Sequence, residues 1–201
     1  MGAGLRGALL AEIGAGRQPR VNAEERGMLV AVVGPSGAGK DTLMARARAV
    51  LADDPRFRFV QRAITRPAEA GGEDHRALDR AAFEAERAAG GLALWWEAHG
   101  LLYGIPADLD PRQVSIANLS RSVLAEAAAR FPLTVLEITA PPAVLAARLA
   151  ARGREDVADV AAWLARQVAL PPGLRVVRVM NDRAVAQGVA RVVGALREAA
   201  Q

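Results

Sequence analysis

The stretch "VVGPSGAGKDT", Val32 to Thr42, decides how the rest of the chain is read. It continues an apolar, β-branched run, "MLVAVVG" (28–34), of the kind that forms a strand buried on both faces of a parallel sheet. It leads into "TLMARARAVLA" (42–52), whose apolar positions recur at helical spacing and which stops near Asp53, Asp54 and Pro55. Strand, glycine-rich loop and helix therefore follow in order. Across Gly34, Pro35, Ser36, Gly37, Ala38 and Gly39 the glycines let the backbone curl so that successive N–H groups point inward, and the helix adds its positive N-terminal end. The result is a cradle for phosphate oxygens.

Lys40 closes that cradle, and it is the only lysine in the chain: all the rest of the 26 Lys+Arg residues are arginine. A compact ammonium here reaches the β- and γ-phosphates of a nucleotide, whereas a planar guanidinium is bulkier and prefers a fork-shaped partner. Lysine stands where shape forbids the swap. Asp41 departs from the common form of this motif, which places Ser or Thr after the lysine to bind Mg²⁺. A bare carboxylate roughly 6 Å from a phosphate charge costs about 3 kcal/mol at an effective dielectric near 20. Two readings follow: Asp41 serves the magnesium shell, or it points sideways as a first-turn acid favoured by the helix dipole. Thr42 offers a hydroxyl one residue on, about 100° further round the helix.

Outward from the loop, "FRFVQRAIT" (57–65), "VSIANL" (114–119), "LTVLEITA" (133–140) and "RVVRVMN" (175–181) read as strands. Helical patterns fall at about 78–89, 120–130, 142–152, 157–169 and 183–199. Alternating strands and helices predict an α/β fold with a parallel five-stranded sheet flanked by helices. The 201 residues suit one domain over 28–201, preceded by an N-terminal extension over 1–27 that carries no evident chemistry. Glu12 interrupts the apolar stretch after Arg6, so no signal peptide is read there.

The net charge of +4 comes from arginines scattered along the chain, without the blocks that mark nucleic-acid-binding arms. No apolar run approaches the roughly 18 residues of a membrane span. With no cysteine there is neither a disulfide nor a thiol nucleophile. Arginine forks suit small phosphorylated ligands as well as polynucleotides, so charge alone does not choose the partner; a cytoplasmic location is expected, and the oligomeric state is left open.

Five further stretches add a resemblance: "ITRP" (64–67) leading to "GGEDH" (71–75), "EAHGLLYGIP" (97–106), "NLSRSVL" (118–124), "RLAARGRED" (148–156) and "VMNDRAVAQGVARVV" (179–193). With the phosphate loop they resemble the guanylate kinase branch of the P-loop kinases, and within it the ribose 1,5-bisphosphate phosphokinases of phosphonate utilisation. The resemblance implies a P-loop NTPase fold with acceptor-binding and lid segments, and ATP and Mg²⁺ as cofactors. It further implies formation of 5-phosphoribosyl 1-diphosphate, a sugar phosphate being the acceptor. By the same resemblance, Arg62 and Arg66 grip the acceptor's phosphate, and Asp74, His75, Tyr103, Asn118 and Arg121 line its site. Arg148, Arg152 and Arg154 belong to or flank a lid over the ATP phosphates, and join Lys40 as catalytic groups.

Leu94 takes the place where guanylate kinases carry a glutamate that reads the guanine edge, so guanine is not the expected acceptor. Trp95 and Trp96 read as core and rim of the acceptor pocket. The chain departs from the phosphokinase pattern at Leu119, where glycine is usual, at Trp163, where a lid arginine is usual, and in a shortened 104–117 segment.

Overall fold

A computed structural model describes residues 27–70, 73–151 and 169–201. Its centre is β1 (Leu29–Val33), buried along its whole length. Val30 and Val32 face one hydrophobic layer, and Leu29, Ala31 and Val33 the other. Each side chain of this type contributes about 1.5–3 kcal/mol when removed from water. β1 lies between β7 (Val114–Asn118) and β8 (Leu133–Thr139), which pair outward with β2 (Phe57–Phe59) and β9 (Arg175–Met180). All four pairings are parallel, which gives the expected five-stranded sheet in the order β2-β7-β1-β8-β9.

One face of that sheet is covered by α1 (Lys40–Val50), α4 (Pro142–Ala150) and α5 (Val185–Ala199) through Leu43, Met44, Leu145, Val189, Val192 and Leu196. The other face packs on α3 (Leu124–Arg130) and on a second sheet. Among the described residues no helix is long and apolar enough to cross a membrane.

The second sheet is where the structure corrects the sequence reading. The run 57–65 is two strands: β2 belongs to the parallel sheet, and β3 (Arg62–Ile64) belongs to a four-stranded sheet ordered β4-β3-β6-β5. The chain leaves the first sheet after Val60, whose N–H donates to Ile116 O at 2.8 Å. Gln61 and Arg62 are the only interruption at that crossing, too short a break for periodicity alone to mark it.

β4 (His75–Ala77), β5 (Leu92–Ala98) and β6 (Leu101–Pro106) were not expected as strands. β5 and β6 form an antiparallel hairpin joined by His99 and Gly100, with φ of 53° and 73°. Two positive φ angles in a two-residue loop match the twist of a hairpin. α2 (Arg80–Ala88) seals this sheet by packing Phe83 on Ala63, Leu92 and Leu102. The helix expected at 157–169 lies, but for Ala169, outside the described residues, as do positions 1–26.

Asp79 caps α2, its Oδ1 accepting from Ala82 N–H at 2.7 Å. Asp79→Ala should cost about 1 kcal/mol and lower Tm by about 2–4 °C for a chain of this size, with acceptor turnover unchanged. An unaltered melting temperature would show that the cap adds nothing.

Candidate active site

The phosphate loop spans Gly34–Gly39 between β1 and α1. Its shape requires glycine at both ends. A Cβ at Gly34 would collide with the carbonyl oxygen of Ile138, and one at Gly39, where φ is 83°, would sit 2.6 Å from Asn181 Nδ2. Lys40 folds back over the loop, its Nζ donating to Gly34 O at 2.8 Å and Pro35 O at 2.9 Å. Burial pushes the Lys40 ammonium below its ordinary value; Asp41 and Glu73 oppose that shift, and Arg121 and Arg62 add to it. A poorly solvated cation already beside the loop is poised to bind a polyphosphate.

Two side chains brace the loop from behind. Asn181, at the C-terminal end of β9, is buried and donates from Nδ2 to Ala38 O at 2.8 Å. Arg148 donates to Gly37 O at 3.3 Å and, through its other terminal nitrogen, to Asn181 O at 3.1 Å. Arg148 thus ties α4 to the loop's carbonyls. Arg152 and Arg154, together with Trp163, lie outside the described residues. Asn181 had no assigned role in the sequence reading, although a polar residue at the C-terminal end of a parallel strand is where ligand-side groups of such sheets collect.

Beside the loop, a cavity of about 170 Å³ is lined by Asp41, Arg48, Arg62, Glu73, Asp74 and Asn118, with Phe59 and Ile116 among its apolar walls. Arg62 enters because β3 starts where the chain has just crossed between sheets. Its Nε donates to Glu73 Oε1 at 2.6 Å, its Nη2 pairs with the same carboxylate, and its Nη1 donates to Asn118 O at 3.1 Å. The guanidinium lies 5.1 Å from the Tyr103 ring centre and 5.6 Å from that of Trp96, and the two rings stack at 5.4 Å. Asn118 Nδ2 donates to Glu73 Oε2 at 2.6 Å. Asp74, at the rim, accepts from Gln61 at 2.9 Å and from Arg48 at 3.3 Å.

Other expected site residues sit elsewhere. His75 is buried, with Nδ1 3.0 Å from Glu73 O and Nε2 3.1 Å from Arg66 O, so its ring bridges those two carbonyls instead of facing the cavity. Arg66 Nη2 lies 3.4 Å from His75 Nδ1, and Arg66 Nε has no partner among the described residues. Arg121 donates to Glu137 Oε1 at 2.9 Å, an acid that also holds Arg178.

Leu94 is 0% exposed in the layer between the sheets, so the expectation that a base edge would meet its side chain is corrected. Trp95 is likewise away from the cavity, under the Arg87 guanidinium at 4.4 Å on the α2 side. Glu73 and Glu137 were not singled out in the sequence. The adjacency of Glu73 to Asp74 in "GGEDH" was the available signal, and for Glu137 the only one was a charge inside an apolar strand.

The residues present fit a nucleotide and a metal. Asp41 and Thr42 are exposed in the first turn of α1, directly after Lys40, and no hydrogen bond occupies the Asp41 carboxylate among the described residues. Mg²⁺ is ordinarily held by one or two such oxygens together with substrate phosphates.

Lys40→Ala should abolish nucleotide-dependent phosphoryl transfer while leaving the melting temperature within a few degrees, and Lys40→Arg should recover little of the rate. If arginine restores more than about half of it, shape is not the reason that lysine stands there.

No family model matches the chain. A bifunctional ribose 1,5-bisphosphokinase-thymidine phosphorylase of Azorhizobium caulinodans is 49% identical over 85% of this chain, which spans only 25% of that protein's length. A ribose 1,5-bisphosphate phosphokinase of Methylobacterium radiotolerans is 47% identical over 85% of this chain and 98% of its own. A guanylate kinase structure from Anaplasma phagocytophilum superposes with a TM-score of 0.56 at 16% identity, covering 87% of this chain and 86% of that one, a likeness of fold. That fold is the one the loop, the parallel sheet and its flanking helices build, and at these identities the chain belongs to the ribose 1,5-bisphosphate phosphokinase family.

Proposed function

We propose that this chain transfers the γ-phosphoryl group of ATP to the 1-phosphate of ribose 1,5-bisphosphate, giving 5-phosphoribosyl 1-diphosphate and ADP. The observation that carries the reading is the placement of a charged cavity directly beside the phosphate loop, with Asp41 one residue from Lys40 and facing that cavity. Donor and acceptor then meet at the first turn of α1. Residues 28–201 act as one kinase domain preceded by the 1–27 extension, in the cytoplasm, as a step of phosphonate utilisation.

The chemistry asks little of a general base. An oxygen of the acceptor's 1-phosphate attacks the γ-phosphorus, the bond from γ-phosphorus to the β–γ bridging oxygen breaks, and ADP leaves with that oxygen. A phosphate monoester has its second pKa near 6 and is largely dianionic at neutral pH, so no hydroxyl need be deprotonated. His75, tied to backbone carbonyls, and His99, in a hairpin turn, are consistent with that economy.

Positioning and neutralisation remain as the protein's work. Lys40 and the loop N–H groups hold the donor phosphates, while Asn181 and Arg148 keep the loop in shape. Arg62 and Arg48 are the guanidiniums that line the acceptor cavity and offset part of its acidic charge, and Arg66, whose Nε has no partner among the described residues, is a donor that an anion would satisfy. Asp41 and Thr42 would hold Mg²⁺, which when bound neutralises charge on the phosphate oxygens.

Incubation with Mg-ATP and, separately, ribose 1,5-bisphosphate, GMP, AMP or no acceptor should yield ADP and 5-phosphoribosyl 1-diphosphate with the bisphosphate alone. GDP formed at a comparable rate would contradict the reading, and no turnover with any acceptor would leave a guanylate-kinase-like binding module in its place.

A further inference from the structure

Within the acceptor cavity, Glu73 stands out because nothing in the transfer chemistry calls for it. A carboxylate beside the place of a bisphosphate is repulsive unless it does something else. We infer that Glu73 is a specificity-determining residue that reads a hydroxyl of the acceptor sugar, an inference that rests on the function proposed above.

The hydrogen-bond count points to it. A carboxylate offers about four lone-pair positions. Arg62 takes up Oε1 of Glu73, its Nε donating there and its Nη2 ion-paired with the same oxygen, while Oε2 receives Asn118 Nδ2. Among the described residues Oε2 keeps an open acceptor position, in a side chain that is 17% exposed and lines the cavity. The group is also held in advance. Arg62, which grips it, is 13% exposed, bonded to Asn118 O and laid against Tyr103, so Glu73 cannot swing aside without breaking charge-assisted bonds.

The charge balance of the cavity agrees. Three carboxylates, Asp41, Glu73 and Asp74, line it against two guanidiniums, Arg48 and Arg62, and each guanidinium is already paired with one of those acids. With Asp41 left to the metal, Glu73 and Asp74 are the acids that remain to the cavity, and a carboxylate repels phosphate oxygens at close range and accepts O–H donors. A pentose carrying phosphates at carbons 1 and 5 presents its hydroxyls, on carbons 2 and 3, between the two anionic ends. Glu73 fits that edge, in the way an acidic residue takes a ribose hydroxyl in dinucleotide sites.

The test compares kcat/KM for ribose 1,5-bisphosphate with its 2-deoxy and 3-deoxy analogues, in the unmodified protein and in Glu73→Gln. The unmodified protein should lose roughly 10- to 100-fold on one of the deoxy acceptors, the usual size of a lost hydrogen bond to a charged group. In Glu73→Gln the amide must turn its oxygen to Arg62, which leaves an NH₂ group where the hydroxyl needs an acceptor. The ratio between acceptors should therefore shrink to within about threefold of one, with KM for ATP unchanged. Glu73→Asp keeps the charge beside Arg62 but withdraws the oxygen, and should shrink the ratio as well even if the glutamine variant fails to fold.

A ratio that persists while both rates fall in parallel would make Glu73 a positioning residue for Arg62 and overturn the inference. Equal rates on all three acceptors by the unmodified protein would overturn it too and leave the proposed function standing. No turnover of ribose 1,5-bisphosphate would remove the proposed function itself.

Discussion

The ammonium of Lys40, folded onto the carbonyls of Gly34 and Pro35, is the contact around which the rest of the molecule is arranged. Burying a cation is costly, and two neutral carbonyls compensate it only partly. The fold must therefore hold the loop tightly enough that the charge stays where a polyphosphate will need it. Gly34 packs with no room for a side chain against the Ile138 carbonyl, which joins the loop to the neighbouring parallel strand. Asn181 and Arg148 bring in β9 and α4 from the other side. Three segments far apart in sequence thus converge on six loop residues.

The acceptor side depends on a different device, the passage of one extended segment from one sheet into the other between Phe59 and Arg62. That passage sets Arg62 at the junction, where Glu73 and Asn118 hold it from one side and Tyr103 from another. Pairs this enclosed add little net stability, but breaking one by removing a partner costs about 3–5 kcal/mol, because the other charge is left stranded. Their value lies in fixing one geometry. The bonds of Glu73 to Arg62 and Asn118 hold the cavity's donors and acceptors in place before any ligand arrives.

The sequence displayed the donor half of this site far better than the acceptor half. β1, the glycine loop and α1 are contiguous, and local chemistry specifies each of them, so periodicity, glycine spacing and a single lysine were enough. β7 and β8 were legible because strands largely buried on both faces read as apolar runs, and the edge strand β9 because of Val176, Val177 and Val179. The 57–65 run hid its crossing because both halves bury the same kind of face. The β5–β6 hairpin was masked by an apolar, tryptophan-rich run that looked like a pocket wall, and its His99–Gly100 turn was the overlooked sign. Leu94 was read by spacing as part of the acceptor site, but strand geometry turns it into the core. The bonds of Glu73 to Arg62 and Asn118 span 11 and 45 residues, and that of Asn181 to Ala38 spans 143, separations at which no local pattern carries information.

The central claim is that Lys40 waits on the loop carbonyls for donor phosphates while the neighbouring cavity takes the sugar. A crystal structure of the protein with a non-hydrolysable ATP analogue and ribose 1,5-bisphosphate tests it most directly. The account predicts that Lys40 Nζ leaves Gly34 O and Pro35 O for the phosphate oxygens, and that the sugar lies in the cavity between Asp41 and Glu73 with its 1-phosphate toward Lys40. A nucleotide-bound structure in which Lys40 still donates to both carbonyls, or in which the sugar lies outside that cavity, would contradict it.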